Sequence, residues 1–132
     1  MQLANHFGAR VTGVCSTANV PLVQSLGAEE VVDYTKQDFA EVGHSYDIVF
    51  DAVGKSSPKR SKSVLSPGGS FVSIRSSTKE KKEDLLLLRD LLGAGKVRAV
   101  IDKRYPLEEI PDAHRYVEKG HKRGNVVINV RR

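Results

Sequence analysis

The chain has 132 residues, 39% hydrophobic and 28% charged, with a formal net charge of +5. Those figures predict one soluble domain with a real core and no membrane span, because no run reaches about eighteen apolar residues. A single cysteine, Cys15, excludes an internal disulfide and any multi-cysteine zinc site; ending an apolar strand, it is expected to be a buried, inert thiol.

The elements alternate in type. Leu3 and Phe7 stand at helical spacing and predict an opening helix closed by Gly8. Arg10–Val14 is expected as a strand, Asn19–Leu26 as a helix with Pro21 tolerated in its first turn, and Glu30–Val32 as a short strand. Lys36–Val42 is a weak helix or turn. Asp47–Val53 (DIVFDAV) is nearly continuous in apolar residues, the pattern of a strand covered on both faces. Pro58–Leu65 is expected as a helix, Ser66–Gly69 as a turn and Ser70–Ile74 as a strand. A polar stretch, Ser76–Asp84, leads to a leucine-rich helix, Lys82–Leu92, whose apolar face is wide enough to demand burial. Val97–Ile101 is expected as a strand, Tyr105-Pro106 as a turn, Leu107–Lys119 as a helix ended by Gly120, and Val126–Val130 as the last strand.

Short connections between alternating strands and helices imply an α/β, Rossmann-like, doubly wound and mainly parallel sheet, with a C-terminal strand–helix–strand extension. In dinucleotide-binding folds a strand and a G-x-G-x-x-G turn stand directly before a helix like the opening one. Neither precedes Met1, so the expectation is a sheet lacking its usual first strand, in a truncated chain. In the usual order 3-2-1-4-5-6 that strand is central. The strands at Arg10–Val14 and Asp47–Val53 would then have to pair directly, accept a strand from elsewhere, or swap in a dimer, because buried unpaired edges are costly.

Four stretches carry a family resemblance: GARVTGVCST (8–17), LGAEEVVDYT (26–35), YDIVFDAVG (46–54) and the tail from Ala94 to Ile128. Together they resemble the C-terminal part of the medium-chain dehydrogenase/reductase superfamily, closest to its zinc-type alcohol dehydrogenase and quinone-oxidoreductase-like branch. The resemblance implies a partial Rossmann NAD(P)-binding domain at 1–92 and, at 93–132, a segment that returns to the catalytic domain in full-length relatives. It also implies that a sixth sheet strand belongs near Arg75–Asp84, where no apolar run exists to form it.

The resemblance carries over a cofactor-binding set. Ser16 and Thr17 match the turn that meets the adenine ribose, where they could donate hydrogen bonds to a 2′-phosphate, and could equally cap the following helix. No acid stands at that strand end to select NAD, and neither Ala18 nor Asn19 is the Arg or Lys usual in NADP-binding relatives. Tyr34 matches a position beside the adenine, or is a plain surface tyrosine. Val53 and Gly54 match the loop along the ribose, where Gly54 could be only a turn glycine. Ser73, Ile74 and Arg75 match the strand end that flanks the nicotinamide, and Asn125 a position near the cofactor phosphate. Asp51, His114 and His121 read as structural. No Cys, Asp or Glu stands at zinc-ligand spacing from either histidine, so no catalytic residue and no zinc site is expected in this chain.

The function implied is that of an NAD(P)H-dependent oxidoreductase fragment. In the intact enzyme a hydride would pass to a small carbonyl, quinone or enone; this chain alone would bind NADP or NAD weakly and be inactive, lacking the pyrophosphate turn. The alternative is a non-catalytic module that self-associates through unpaired sheet edges, with a homodimer expected. The basic runs, which include Arg131 and Arg132, are scattered and carry no interleaved aromatics, so nucleic acid is an unlikely partner. A cytoplasmic setting is expected from the missing leader.

Overall fold

In a computed structural model, which describes residues 1–130, the chain forms two compact units, Met1–Lys82 and a second beginning at Glu83. Arg131 and Arg132 lie outside the described residues.

In the first unit, α1 (Gln2–His6) ends at Phe7, and Gly8 follows at φ +81°. That left-handed conformation is the one glycine adopts at a helix C-terminus without strain. β1 (Thr12–Cys15) leads through a 3₁₀ turn at Thr17–Asn19 into α2 (Val20–Ser25), with Pro21 in its first turn. Gly27, at φ +95°, turns the chain into β2 (Glu30–Asp33), and Asn5 Nδ2 donates to its carbonyl at 2.9 Å, tying α1 to this turn. β1 and β2 are parallel, from Thr12 opposite Glu30 to Cys15 opposite Asp33. α2 closes over the pair, and Cys15, Val23 and Ala28 form its core, with Val20 and Val31 packed against them.

A short 3₁₀ turn, Phe39–Glu41, fills the weakly helical stretch; Asp38 caps it by accepting from Ala40 N at 3.0 Å. β3 (Tyr46–Asp51) then pairs in parallel with β4 (Leu65–Ser73). Between them α3 (Pro58–Ser61) runs on as a 3₁₀ turn, Lys62–Val64; Ser57 caps it by accepting from Arg60 N at 3.2 Å. The predicted turn at Ser66–Gly69 lies inside β4 as an irregularity. Opposite partners jump from Tyr46–Leu65 to Ile48–Ser70, and a Cβ on Gly69 would sit 2.9–3.1 Å from three backbone oxygens.

α4 (Lys82–Gly93), in the second unit from Glu83 on, ends at a turn where Gly95 stands at φ +68° and Lys96 N donates to Leu91 O at 2.9 Å. β5 (Ile101–Pro106) and β6 (Asn125–Asn129) pair in parallel around α5 (Ile110–Glu118). Asp102, in β5, ties down α5 and the loop leading into β6: its Oδ2 accepts from the Tyr116 hydroxyl at 2.7 Å and from Arg123 N at 2.8 Å.

Several expectations need correction. The strands form three separate parallel pairs, β1–β2, β3–β4 and β5–β6, and β1 and β3 do not pair with each other. β3 is covered on one face only: Ile48 and Phe50, two residues apart and so on the same face, are 68% and 57% exposed. α4 buries Leu91 alone, while Leu85, Leu86, Leu87 and Leu92 are exposed. The strand expected at Val97–Ile101 is β5, beginning at Ile101 and running through the supposed turn at Tyr105-Pro106. The single domain with a real core is instead two units with little interior.

The departures in burial share one cause. Apolar patterning written for burial on both faces is covered on one.

Candidate nucleotide-binding site

The carbonyl ends of parallel strands are where α/β folds hold ligands. In the first unit, each strand pair presents a polar group there.

At the end of β1 and β2, Tyr34 N donates to Cys15 O at 3.0 Å, which brings the 16–17 turn beside 33–35. Asp33 is the centre of that turn pair. Its carboxylate accepts from the Thr17 hydroxyl, from the Thr35 hydroxyl at 2.6 Å and from Thr35 N at 3.0 Å; Lys36 Nζ lies 3.5 Å away. The Thr17 hydroxyl first, then that of Thr35, holds the Asp33 carboxyl down to about 2. Asp33 is therefore an anion throughout the physiological range. The Cys15 thiol is pushed up, by burial first and by Asp33 second, consistent with the expected inert cysteine.

Ser16 makes no side-chain cap to the turn that follows it; its Oγ accepts instead from Asn19 Nδ2 at 3.3 Å. Helix capping is thus not what occupies Ser16. Asn19 Oδ1 is buried without a partner, so an acceptor beside this turn lacks a donor. Tyr34 is 62% exposed.

At the end of β3 and β4, Asp51 organises the loop that follows it. This buried carboxylate accepts from Val53 N at 3.1 Å, Gly54 N at 2.8 Å and Ser56 N at 2.9 Å. Burial alone would raise its pKa, but the backbone donors of Ser56, Val53, Gly54 and Lys55 together outweigh burial and hold it below the usual range. Asp51 is structural, as the sequence implies, and what it structures is the Val53–Gly54 loop.

Gly54, at φ +74°, lies under the Arg75 side chain; a Cβ there would meet Arg75 Nε at 2.8 Å. Ile74 N donates to Asp51 O at 3.2 Å, and Arg75 N to Ser73 Oγ at 3.2 Å. Val53, Gly54, Ser73, Ile74 and Arg75 are thus brought to one strand-pair end. Asn125 belongs to the second unit, where it opens β6 and its N–H donates to Val100 O at 2.7 Å.

The profile of the zinc-binding dehydrogenase family matches residues 26–85 and 75–128. The chain belongs to that family. The two matched pieces meet at 75–85, where a sixth strand is expected by resemblance and where residues 74–81 form no strand. Among individual family relatives, the chain is 36% identical to the 2-methylene-furan-3-one reductase of Solanum lycopersicum, over 98% of this chain and 36% of that protein. It is 33% identical to the chloroplastic NADPH-dependent alkenal/one oxidoreductase of Arabidopsis thaliana, over 97% of this chain and 36% of that protein. The solved structure of the quinone oxidoreductase from Coxiella burnetii superposes with a TM-score of 0.83 at 27% identity, covering 98% of this chain and 48% of that one. The chain therefore spans between about a third and a half of these relatives. Its fold is α/β with parallel strands, and its family is one of NAD(P)H oxidoreductases.

Among the described residues no three His, Cys, Asp or Glu side chains group closely enough to hold an ion. At the strand carbonyl ends stand polar turns, the buried and unpartnered Asn19 Oδ1, and Gly54 beneath Arg75, groups of the kind a nucleotide contacts.

Sequence reasoning missed Asp33. The search for an acid covered only the end of the strand at 10–14, whereas parallel pairing brings the acid across from the neighbouring strand. The signal was the aspartate in VVDYT, ending the strand expected beside Cys15.

Proposed function

We propose that this chain carries the adenosine-binding portion of an NAD(P)H-dependent oxidoreductase that reduces a small carbonyl, quinone or enone. The observation carrying the reading is the clustering of resemblance-derived residues at strand carbonyl ends: Ser16 and Thr17 beside Tyr34, and Val53–Gly54 beside Ser73–Arg75. The relatives' names support the reaction class. When bound, the nicotinamide supplies the hydride. This chain's own groups hold and orient: the turn at 16–17 meets the ribose, the Asp51-braced loop lies along it, and Ser73–Arg75 form part of the nicotinamide wall.

The 132 residues contain no G-x-G-x-x-G turn. Such a turn places backbone N–H groups and a helix N-terminus against the pyrophosphate and supplies much of the affinity for it. This polypeptide alone is therefore expected to bind NADH or NADPH no more tightly than about 100 μM and to show no turnover. Isothermal titration with each nucleotide checks this; a low-micromolar Kd would contradict it.

A second reading, self-association through unpaired sheet edges, is favoured by one observation. β1 and β3 each pair on a single edge, and β3 also exposes Ile48 and Phe50. Unpaired edges of this kind template strand addition. Light scattering is expected to show a mass above the monomer's that rises with concentration. A monomer mass at all concentrations would remove this reading.

A further inference from the structure

One serine stands in a setting that neither the nucleotide site nor the core uses. Ser57 is exposed and extended, at φ −137° and ψ 155°, between the Asp51-braced loop and α3. Pro58 follows it, then Lys59 and Arg60, giving S-P-K-R. Lys55 and Lys62 flank the run, and no Asp or Glu stands between Asp51 and Glu80. A residue before proline is held extended, and proline brings no N–H that needs a partner. A cleft that takes an extended chain, with an apolar pocket for the proline and carboxylates for the two cations, fits this run. Such a cleft belongs to the proline-directed class of serine/threonine protein kinases, which read their substrates partly by charge pattern.

The neighbouring serines are withheld. Ser61 is fully buried. Ser56 is half-buried, its N–H donating to Asp51 at 2.9 Å and its hydroxyl lying 3.3 Å from that of Ser61. Ser66 also precedes a proline, Pro67, but it is half-buried inside β4, and Gly68 and Gly69 follow where Ser57 has cations. α3 is a single turn, Pro58–Ser61, so presenting Ser57 to an enzyme opens one turn and no long element.

We propose that Ser57 is a phosphorylation site for a proline-directed serine/threonine protein kinase, and that its phosphate redirects Arg60. The kinase transfers the γ-phosphoryl group of ATP: the bond from that phosphorus to the bridging oxygen breaks, the bond to Ser57 Oγ forms, ADP leaves, and the hydroxyl proton passes to the kinase's base. In the unmodified chain Arg60 pairs with the Asp38 carboxylate, and its guanidinium lies 5.7 Å from the centre of the Phe39 ring. Ser57 Oγ already accepts from Arg60 N at 3.2 Å, so a phosphate there stands beside Arg60. It brings about two negative charges and three acceptor oxygens, against the single charge of Asp38, and it offers arginine a bidentate partner. Arg60 is drawn off Asp38 and Phe39, and the Phe39–Glu41 turn loses its tie to α3.

The test incubates the full chain with a cyclin-dependent kinase and Mg-ATP and locates the phosphate by mass spectrometry of its peptides. One phosphate is expected, on Ser57, with its rate of addition falling at least about tenfold in Pro58→Ala. In the phosphorylated, ¹⁵N-labelled chain the amides of Asp38–Glu41 are expected to shift, in the direction that Arg60→Gln shifts them without phosphate. No phosphate on Ser57, or an equal amount on Ser66, would overturn the site. An undiminished rate in Pro58→Ala would overturn the kinase class. Phosphate on Ser57 with the amides of Asp38–Glu41 unmoved would overturn the redirection of Arg60. The mapping uses the unmodified chain, so it decides the site whether or not the variants fold.

Discussion

Replacing Gly13 with valine is expected to destabilise the first unit by about 2–3 kcal/mol, the cost of forcing extra atoms into a packed site. Gly13 lies in β1 under α2. A Cβ added there would stand 2.3 Å from Val23 Cγ1 and 3.4 Å from the Ala28 methyl. Val23 is short and β-branched, so it cannot swing aside as the far end of a flexible side chain would. Both neighbours belong to the Cys15–Val23–Ala28 core, and that core is too small to spread the strain. A unit of this length is stable by only several kcal/mol, so the change removes a large share. Gly13→Ala should fall between valine and the unmodified chain. Urea denaturation checks the order; an unchanged midpoint in Gly13→Val would show that β1 and α2 are not packed as described.

Replacing Asp51 with alanine is expected to release the loop that follows β3. Three backbone N–H groups, of Val53, Gly54 and Ser56, would lose their common acceptor and turn to water. Hydrogen exchange at these amides should speed up by at least about tenfold, since each is protected only while that bond is closed. Nucleotide affinity should fall with it, because the loop backbone would no longer be pre-arranged. The pH dependence has a definite sign. The Asp51 carboxyl is lowered on folding, so its stabilising contribution is complete above the ordinary carboxylate range and is lost as pH falls through the lowered value. Asp51→Asn should therefore lose this acid-dependent component. Unchanged protection of Val53, Gly54 and Ser56 in Asp51→Ala would contradict the bracing role.

The sequence conveyed local elements well, because their signals are local. Gly8, Gly27, Gly95 and Gly120 all adopt the positive φ that ends a helix or turn, and Pro21 and Pro111 both sit in first turns. What it did not convey was coverage. Ile48, Phe50, Leu85, Leu86, Leu87 and Leu92 follow patterns written for burial, yet among the described residues they stay exposed. A hydrophobic pattern states that a face needs a partner and is silent on where the partner comes from. The site divides along the same line. Ser16, Thr17, Val53 and Gly54 are candidates through resemblance to a known family, and the structure shows only where they lie. Asp33 was not, because its role depends on strand pairing that brings it to Thr17.

If the carbonyl ends of β1 and β3 form an adenosine site, titrating the ¹⁵N-labelled chain with NADH should shift them residue by residue. The largest changes are expected at Ser16, Thr17 and Tyr34, with a second group at Val53, Gly54 and Ser73–Arg75. Changes confined to residues beyond Glu83, or none at millimolar NADH, would contradict it.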